Sequence, residues 1–151
     1  MSKQERVLVV TSGGGHWAQM MRIRKALDGC DVAYASVGQG YADDVPGCRF
    51  FVVRDANRAQ KLDLIRSAGD VFGVIRRERP AVVVSTGAAP GLFAIVFGKL
   101  FGARTVWIDS IANAGKLSLS GRLAGRWADL YLTQWPELAR EGGPEYSGAV
   151  L

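Results

Sequence analysis

An α/β fold with a mainly parallel, six-stranded sheet is predicted by three features of this sequence. Short apolar runs rich in valine alternate with longer segments of helical periodicity, the pattern of β-α-β units with right-handed crossovers. Two loops of small residues, 11–16 and 86–91, each follow such a run and precede a helical segment. The 151 residues, 48% of them hydrophobic, suit one domain with a full apolar core. The expected product is a doubly wound, Rossmann-like sheet in a single domain over residues 1–151, with a short tail from about residue 137. Ligands of such sheets bind at the carboxyl ends of the strands, where strand order reverses.

The first strand is expected at 7–10, Val-Leu-Val-Val, an apolar β-branched run that suits full burial. A helix over 17–27 follows, carrying Trp17, Met20, Met21, Ile23 and Leu27, and Asp28-Gly29 ends it. Strands at 31–36 and 49–54 flank a glycine-containing connection, 37–47. Asp55, Ala56 and Asn57 offer turn and capping residues. A helix over 60–79 repeats Leu62, Ile65, Ala68, Phe72 and Ile75 at helical spacing and closes on basic residues before Pro80. The strand at 81–85 leads into the second small-residue loop, where Pro90 suits a helix start, and 92–101 is apolar nearly all round. A strand at 105–108, a polar stretch at 113–116, a helix over about 118–127 and a sixth strand at 130–133 complete the alternation. The tail through 142–144 is loop-like.

A formal charge of +5 and a pI of about 9.6 favour acidic partners. Nucleic acid is not expected among them, because the arginines are dispersed among helices and no aromatic stacking platform accompanies them. Cys30 and Cys48 lack metal-type spacing, and one histidine cannot complete a standard zinc set, so neither a metal nor another cofactor is expected. No segment reaches the roughly 18–20 uninterrupted apolar residues of a spanning helix. The start runs directly into the first strand, which predicts a cytoplasmic protein without a signal peptide.

The stretch 11–19 reads Thr-Ser-Gly-Gly-Gly-His-Trp-Ala-Gln and holds the only histidine, His16. Its glycines allow a sharp turn and close approach of the backbone to a ligand. Free N–H groups at the following helix start favour an anion such as phosphate. Gly13 to Ala18 formally satisfies the G-x-G-x-x-G/A dinucleotide fingerprint. The second strand, however, ends Ala35-Ser36-Val37-Gly38 without the ribose-binding acid, which counts against a nucleotide-binding oxidoreductase domain. Gly115-Lys116-Leu117 has neither the glycine spacing nor the hydroxyl of a P-loop. His16 could bind a phosphate oxygen, accept a hydroxyl proton, or bond locally at the helix start. Asp109 could act as a base, hold a sugar hydroxyl, or cap the next segment, and Lys116 and Arg122 could neutralise a diphosphate or be ordinary surface charge. Segment 92–101 is either a buried crossover helix or, with Lys99 and Arg104, an interfacial membrane patch.

An ordered set of motifs carries a resemblance across nearly the whole chain: Ser12-Gly13-Gly14-Gly15-His16 with Gln19-Met20, Ser85-Thr86-Gly87 with Pro90, Ile108-Asp109-Ser110, 117–123, and Gln134-Trp135-Pro136. Together they resemble the acceptor-side subunit of split N-acetylglucosaminyltransferase-like enzymes, which include the eukaryotic Alg protein that recruits its catalytic partner and bacterial polysaccharide proteins such as PssD. The resemblance implies the N-terminal half of a GT-B glycosyltransferase, related in layout to MurG. Such a half binds a polyprenyl-diphosphate-linked sugar acceptor and docks on an anionic membrane. A separate chain would bind the UDP-sugar donor, and this chain would be inactive alone. By this likeness His16 comes first and Asp109 second for proton handling or diphosphate contact. The binding residues would be Ser12, Gly13, Gly14, Gly15, Gln19, Thr86, Gly87, Pro90, Ser110 and Lys116. Eukaryotic members carry an N-terminal membrane helix that this sequence lacks, so attachment is expected to be peripheral, at the inner face of the cell membrane. Many relatives have glutamate in place of Asp109 and an arginine near Asn113. A chain of this length has room for one of the two GT-B domains. A scaffold that only recruits its partner to the membrane is the alternative reading.

Overall fold

A computed structural model of the chain describes residues 3–56 and 59–150. The turn role expected of Asn57 lies outside these residues, as do Met1 and Ser2 of the expected start. Seven strands form one sheet: β1 (Arg6–Val10), β2 (Asp31–Ser36), β3 (Arg49–Val52), β4 (Val82–Ser85), β5 (Arg104–Ile108), β6 (Leu130–Thr133) and β7 (Glu145–Tyr146). Every pairing is parallel, in the order β3-β2-β1-β4-β5-β6-β7. Four α-helices connect them: α1 (Gly15–Ile23), α2 (Lys61–Glu78), α3 (Ala88–Leu100) and α4 (Leu119–Ala124). Strand order reverses between β1 and β4, so both small-residue loops open at one switch point.

Alternation along β1 builds the two cores. Leu8 and Val10 pack with Val71, Ile75, Ile95 and Trp107, while Val7 and Val9 face Trp17, Met20 and Tyr34. Both faces are covered, which is why β1 and β4 are valine-rich rather than alternating with polar residues. Each fully buried aliphatic side chain contributes about 2 kcal/mol.

The structure departs from the sequence reading at several points. The first helix leaves α geometry after Ile23 and continues as a 3₁₀ turn, Arg24–Leu27. The connection 37–47 contains a 3₁₀ helix, Gln39–Asp44. Helix α3 begins at Ala88 rather than near 92, which takes Pro90 into its first turns. Helix α4 stops at Ala124, and the tail adds β7 as a seventh strand at the sheet edge.

Charge pairs tie the other end of the sheet. Arg49 bridges Asp31 and Glu78, each at 2.9 Å, and these contacts hold its guanidinium firmly protonated. Asp129 accepts from Lys99 and from the Thr105 backbone N–H at 2.9 Å. The Lys99 contact first, and the Thr105 bond second, lower its carboxyl below the ordinary value of 3.8. A depressed carboxylate contributes stability that is complete above its ordinary value and is lost as pH falls through the depressed one. Thermal unfolding followed from about pH 5 down to about pH 2 should therefore show a shallower acid limb in Asp129→Asn than in the parent.

Candidate functional site

The crevice at the switch point is framed by two helix starts. Helices α1 and α3 both begin on glycine, Gly14 and Gly87, and neither has a side-chain cap or an acid in its first turn. Gly14 takes φ +62° and Gly87 φ +142°, conformations that side chains with a Cβ rarely adopt. No side chain caps the first-turn N–H groups, although Pro90 supplies none and the N–H of Gly87 donates to Ser85 Oγ at 3.1 Å, and the helix dipoles favour a negative ligand. The N–H of Gly14 itself is already used: it donates to the Tyr41 hydroxyl at 2.8 Å. Tyr41 sits on the 3₁₀ helix Gln39–Asp44, which is pinned by Trp17 Nε1 donating to Asp44 at 2.7 Å.

His16 is half-buried on the first turn of α1. Its Nδ1 lies 3.0 Å from the carbonyl oxygen of Thr86. A carbonyl can only accept, so Nδ1 carries the proton and Nε2 is the basic nitrogen of the neutral ring. The ring rests against Gly87, where any Cβ would overlap it. Thr86 also donates its hydroxyl to the His16 carbonyl at 2.7 Å.

His16 borders a cavity of about 280 Å³, walled also by Asp55, Ala88, Ala89, Ser110, Asn113, Ser118 and Ser120. A second hollow of about 370 Å³ opens beside it, lined by Leu64, Ile65, Ala68, Leu92, Phe93, Leu119 and Leu123. Ala89 and Ser120 belong to both, so a polar chamber and an almost wholly apolar groove between α2, α3 and α4 adjoin across a shared wall.

Asp109, expected as the second proton-handling group, is held in a buried hydrogen-bond network. It is 1% exposed, and both carboxylate oxygens are occupied. Oδ1 accepts from Trp107 Nε1 (3.1 Å) and the Ser118 hydroxyl (2.7 Å), while Oδ2 accepts from Asn113 Nδ2 and the Ser118 N–H, both at 3.2 Å. It braces the 110–118 loop against β5, and Ser118 in turn caps α4 through the Gly121 N–H. Burial, and secondarily the charge of Asp109, push the Tyr131 hydroxyl up to about 12.

Of the expected binding residues, Ser110 lines the cavity, and Gly14 and Gly15 are exposed at its α1 side. Gly13 lies under the Tyr41 hydroxyl, and Gly87 supports the His16 ring. Four others are buried and do not line the cavity. Ser12 and Pro90 are buried away from the cavity wall. Gln19, 5% exposed, donates to Ser110 Oγ at 3.1 Å and accepts from the Ile111 N–H, so it aims Ser110 rather than the ligand. Thr86 is fully buried. Lys116 is exposed on the 110–118 loop and does not line the cavity. Asp55, Asn113 and Ser120 escaped the sequence reading as wall residues. Asp55 was legible, since it follows strand three at a carboxyl end.

Among the described residues no group of three histidine, cysteine or acidic side chains is placed to hold a metal, and no helix is long and apolar enough to cross a membrane.

The family model for oligosaccharide biosynthesis protein Alg14 like matches residues 53–150. The chain is similar to the UDP-N-acetylglucosamine transferase subunit ALG14 of Eremothecium gossypii, 28% identical over 89% of this chain and 74% of that protein. The corresponding subunit of Yarrowia lipolytica is 26% identical over 97% of this chain and 81% of that protein. Among solved structures, MurG of Acinetobacter baumannii superposes with a TM-score of 0.78 at 10% identity, a likeness of fold. That match takes in 97% of this chain and 46% of the MurG chain, so the chain spans about half of that protein.

Proposed function

The chain belongs to the Alg14-like family of oligosaccharide biosynthesis proteins, and on that premise we propose that it is the acceptor-binding, membrane-docking subunit of a two-chain glycosyltransferase. A single domain over residues 1–151 takes the acceptor half of the reaction. A separate chain brings the UDP-sugar. The acceptor is a polyprenyl-diphosphate-linked sugar of cell-surface polysaccharide assembly, and the pair works at the inner face of the cell membrane. The observation that carries this reading is the apolar groove lying directly beside the His16 cavity, which fits a ligand polar at one end and hydrocarbon at the other.

The diphosphate lies toward the uncapped starts of α1 and α3. The sugar occupies the cavity, where Ser110, Asn113 and Asp55 offer partners for its hydroxyls. As one hydroxyl attacks the anomeric carbon of the donor, the bond from that carbon to the diphosphate oxygen breaks, UDP leaves with the electron pair, and His16 Nε2 takes the hydroxyl proton. The Thr86 carbonyl then holds the imidazolium through Nδ1. The isoprenoid chain enters along Leu64, Leu92 and Phe93. Ile65 is 67% exposed at the groove, with Leu62, Leu119 and Leu123 also presented to the outside. These residues insert at the bilayer surface, aided by basic side chains worth about 1 kcal/mol each near anionic lipid.

Sedimentation with anionic vesicles containing a polyprenyl-diphosphate sugar tests the reading. The double variant Ile65→Asp/Leu123→Asp should keep its fold and lose at least about tenfold in vesicle affinity. Undiminished binding by that variant would remove the groove from the membrane contact.

A further inference from the structure

We propose that Thr86 is a positioning residue that fixes the tautomer and direction of His16 through a two-way clasp between the loops after β1 and β4. The inference rests on the reading of His16 as the group that takes the acceptor proton. Thr86 is fully buried and cannot touch a ligand. Its hydroxyl has one hydrogen, which goes to the His16 carbonyl at 2.7 Å. Thr11 Oγ1 stands 2.9 Å from the Thr86 oxygen, and its own single hydrogen is shared between that oxygen and the Ser12 carbonyl at 3.3 Å. The Thr86 carbonyl meanwhile receives Nδ1–H of the His16 ring.

Residue 86 thus grips residue 16 twice, once by its backbone and once by its ring. Neither bond alone would suffice. The hydroxyl sets the spacing of the two loops, and that spacing lets the ring reach the carbonyl. The carbonyl in turn selects the Nδ1–H form, which leaves Nε2, the ring nitrogen not bonded to Thr86, as the basic one. Two adjoining features fit a ring seat held in place from outside. Gly87 leaves the space that a Cβ would take from the ring. Ala88, a cavity-wall residue with a Cβ, is held at φ +66°, a conformation that persists only where its surroundings impose it.

Because His16 is the only histidine, imidazole ¹⁵N resonances of the chain report on it alone. The parent protein with its imidazole neutral should show the Nδ1–H tautomer. Thr86→Val, which keeps the shape and removes the hydroxyl, should move the population toward Nε2–H. In the reconstituted pair it should lower kcat at least about tenfold with the acceptor KM changed less than about threefold, and Thr86→Ser should restore both readouts. A folded Thr86→Val with the parental imidazole spectrum overturns the clasp. Should that variant fail to fold, Gly87→Ala, which displaces the ring directly, must give the same spectral change, and a parental spectrum there also overturns it. A shifted spectrum with unchanged kcat overturns the proton-handling role of His16 and leaves the clasp standing.

Discussion

Replacing His16 with alanine should reduce sugar transfer by the reconstituted two-chain enzyme at least about tenfold, and by up to about a thousandfold, while the unfolding midpoint stays within a few degrees of the parent. Positioned general bases contribute about 10²–10⁴ in rate, and tenfold is the floor because donor binding and the helix dipoles would remain. The stability forecast follows from geometry. The ring is half-buried, and its loss frees the Thr86 carbonyl beside a cavity that water can fill. Transfer near the parental rate, with the partner already on the membrane, would favour the recruiting scaffold over the catalytic reading.

Asp109→Ala should be the most destabilising substitution at the site, by about 3–5 kcal/mol in chemical denaturation. Four donors lose their acceptor at once, and one of them, the Ser118 hydroxyl, also caps α4. For a domain of this size that corresponds to a drop of about 10 °C in Tm. The brace and the base make opposite forecasts. A catalytic base replaced by alanine would leave the fold intact and abolish turnover, whereas the brace loses the fold of the 110–118 loop first. Unaltered stability in Asp109→Ala would return the residue to the list of proton-handling groups.

These two acids and bases show where the sequence was readable. The parallel sheet was legible because β1 and β4 are buried on both faces and so appear as apolar, valine-rich runs. The switch point followed from strand alternation alone, and with it the address of His16 and Ser110. Role was harder than address. Asp109 and Thr86 stand at the carboxyl ends of strands, where catalytic residues stand, and only the folded chain brings Trp107, Asn113 and Ser118 around one and Thr11 and His16 around the other. The start of α3 was misjudged because a left-handed alanine cannot be read from residue type. Strand β7 was invisible because two residues carry no periodicity.

The Thr11–Thr86 contact joins residues 75 positions apart. Closing a loop of that length costs about 4 kcal/mol of chain entropy, so the two walls of the cavity meet only once β1 and β4 have paired. The site is accordingly an end product of folding, and partly folded chains present neither wall in working order. A ligand that spans the starts of α1 and α3 would hold together two segments far apart in the chain. It would therefore act on global unfolding, slowing the whole molecule's exchange with its unfolded state rather than quieting one loop.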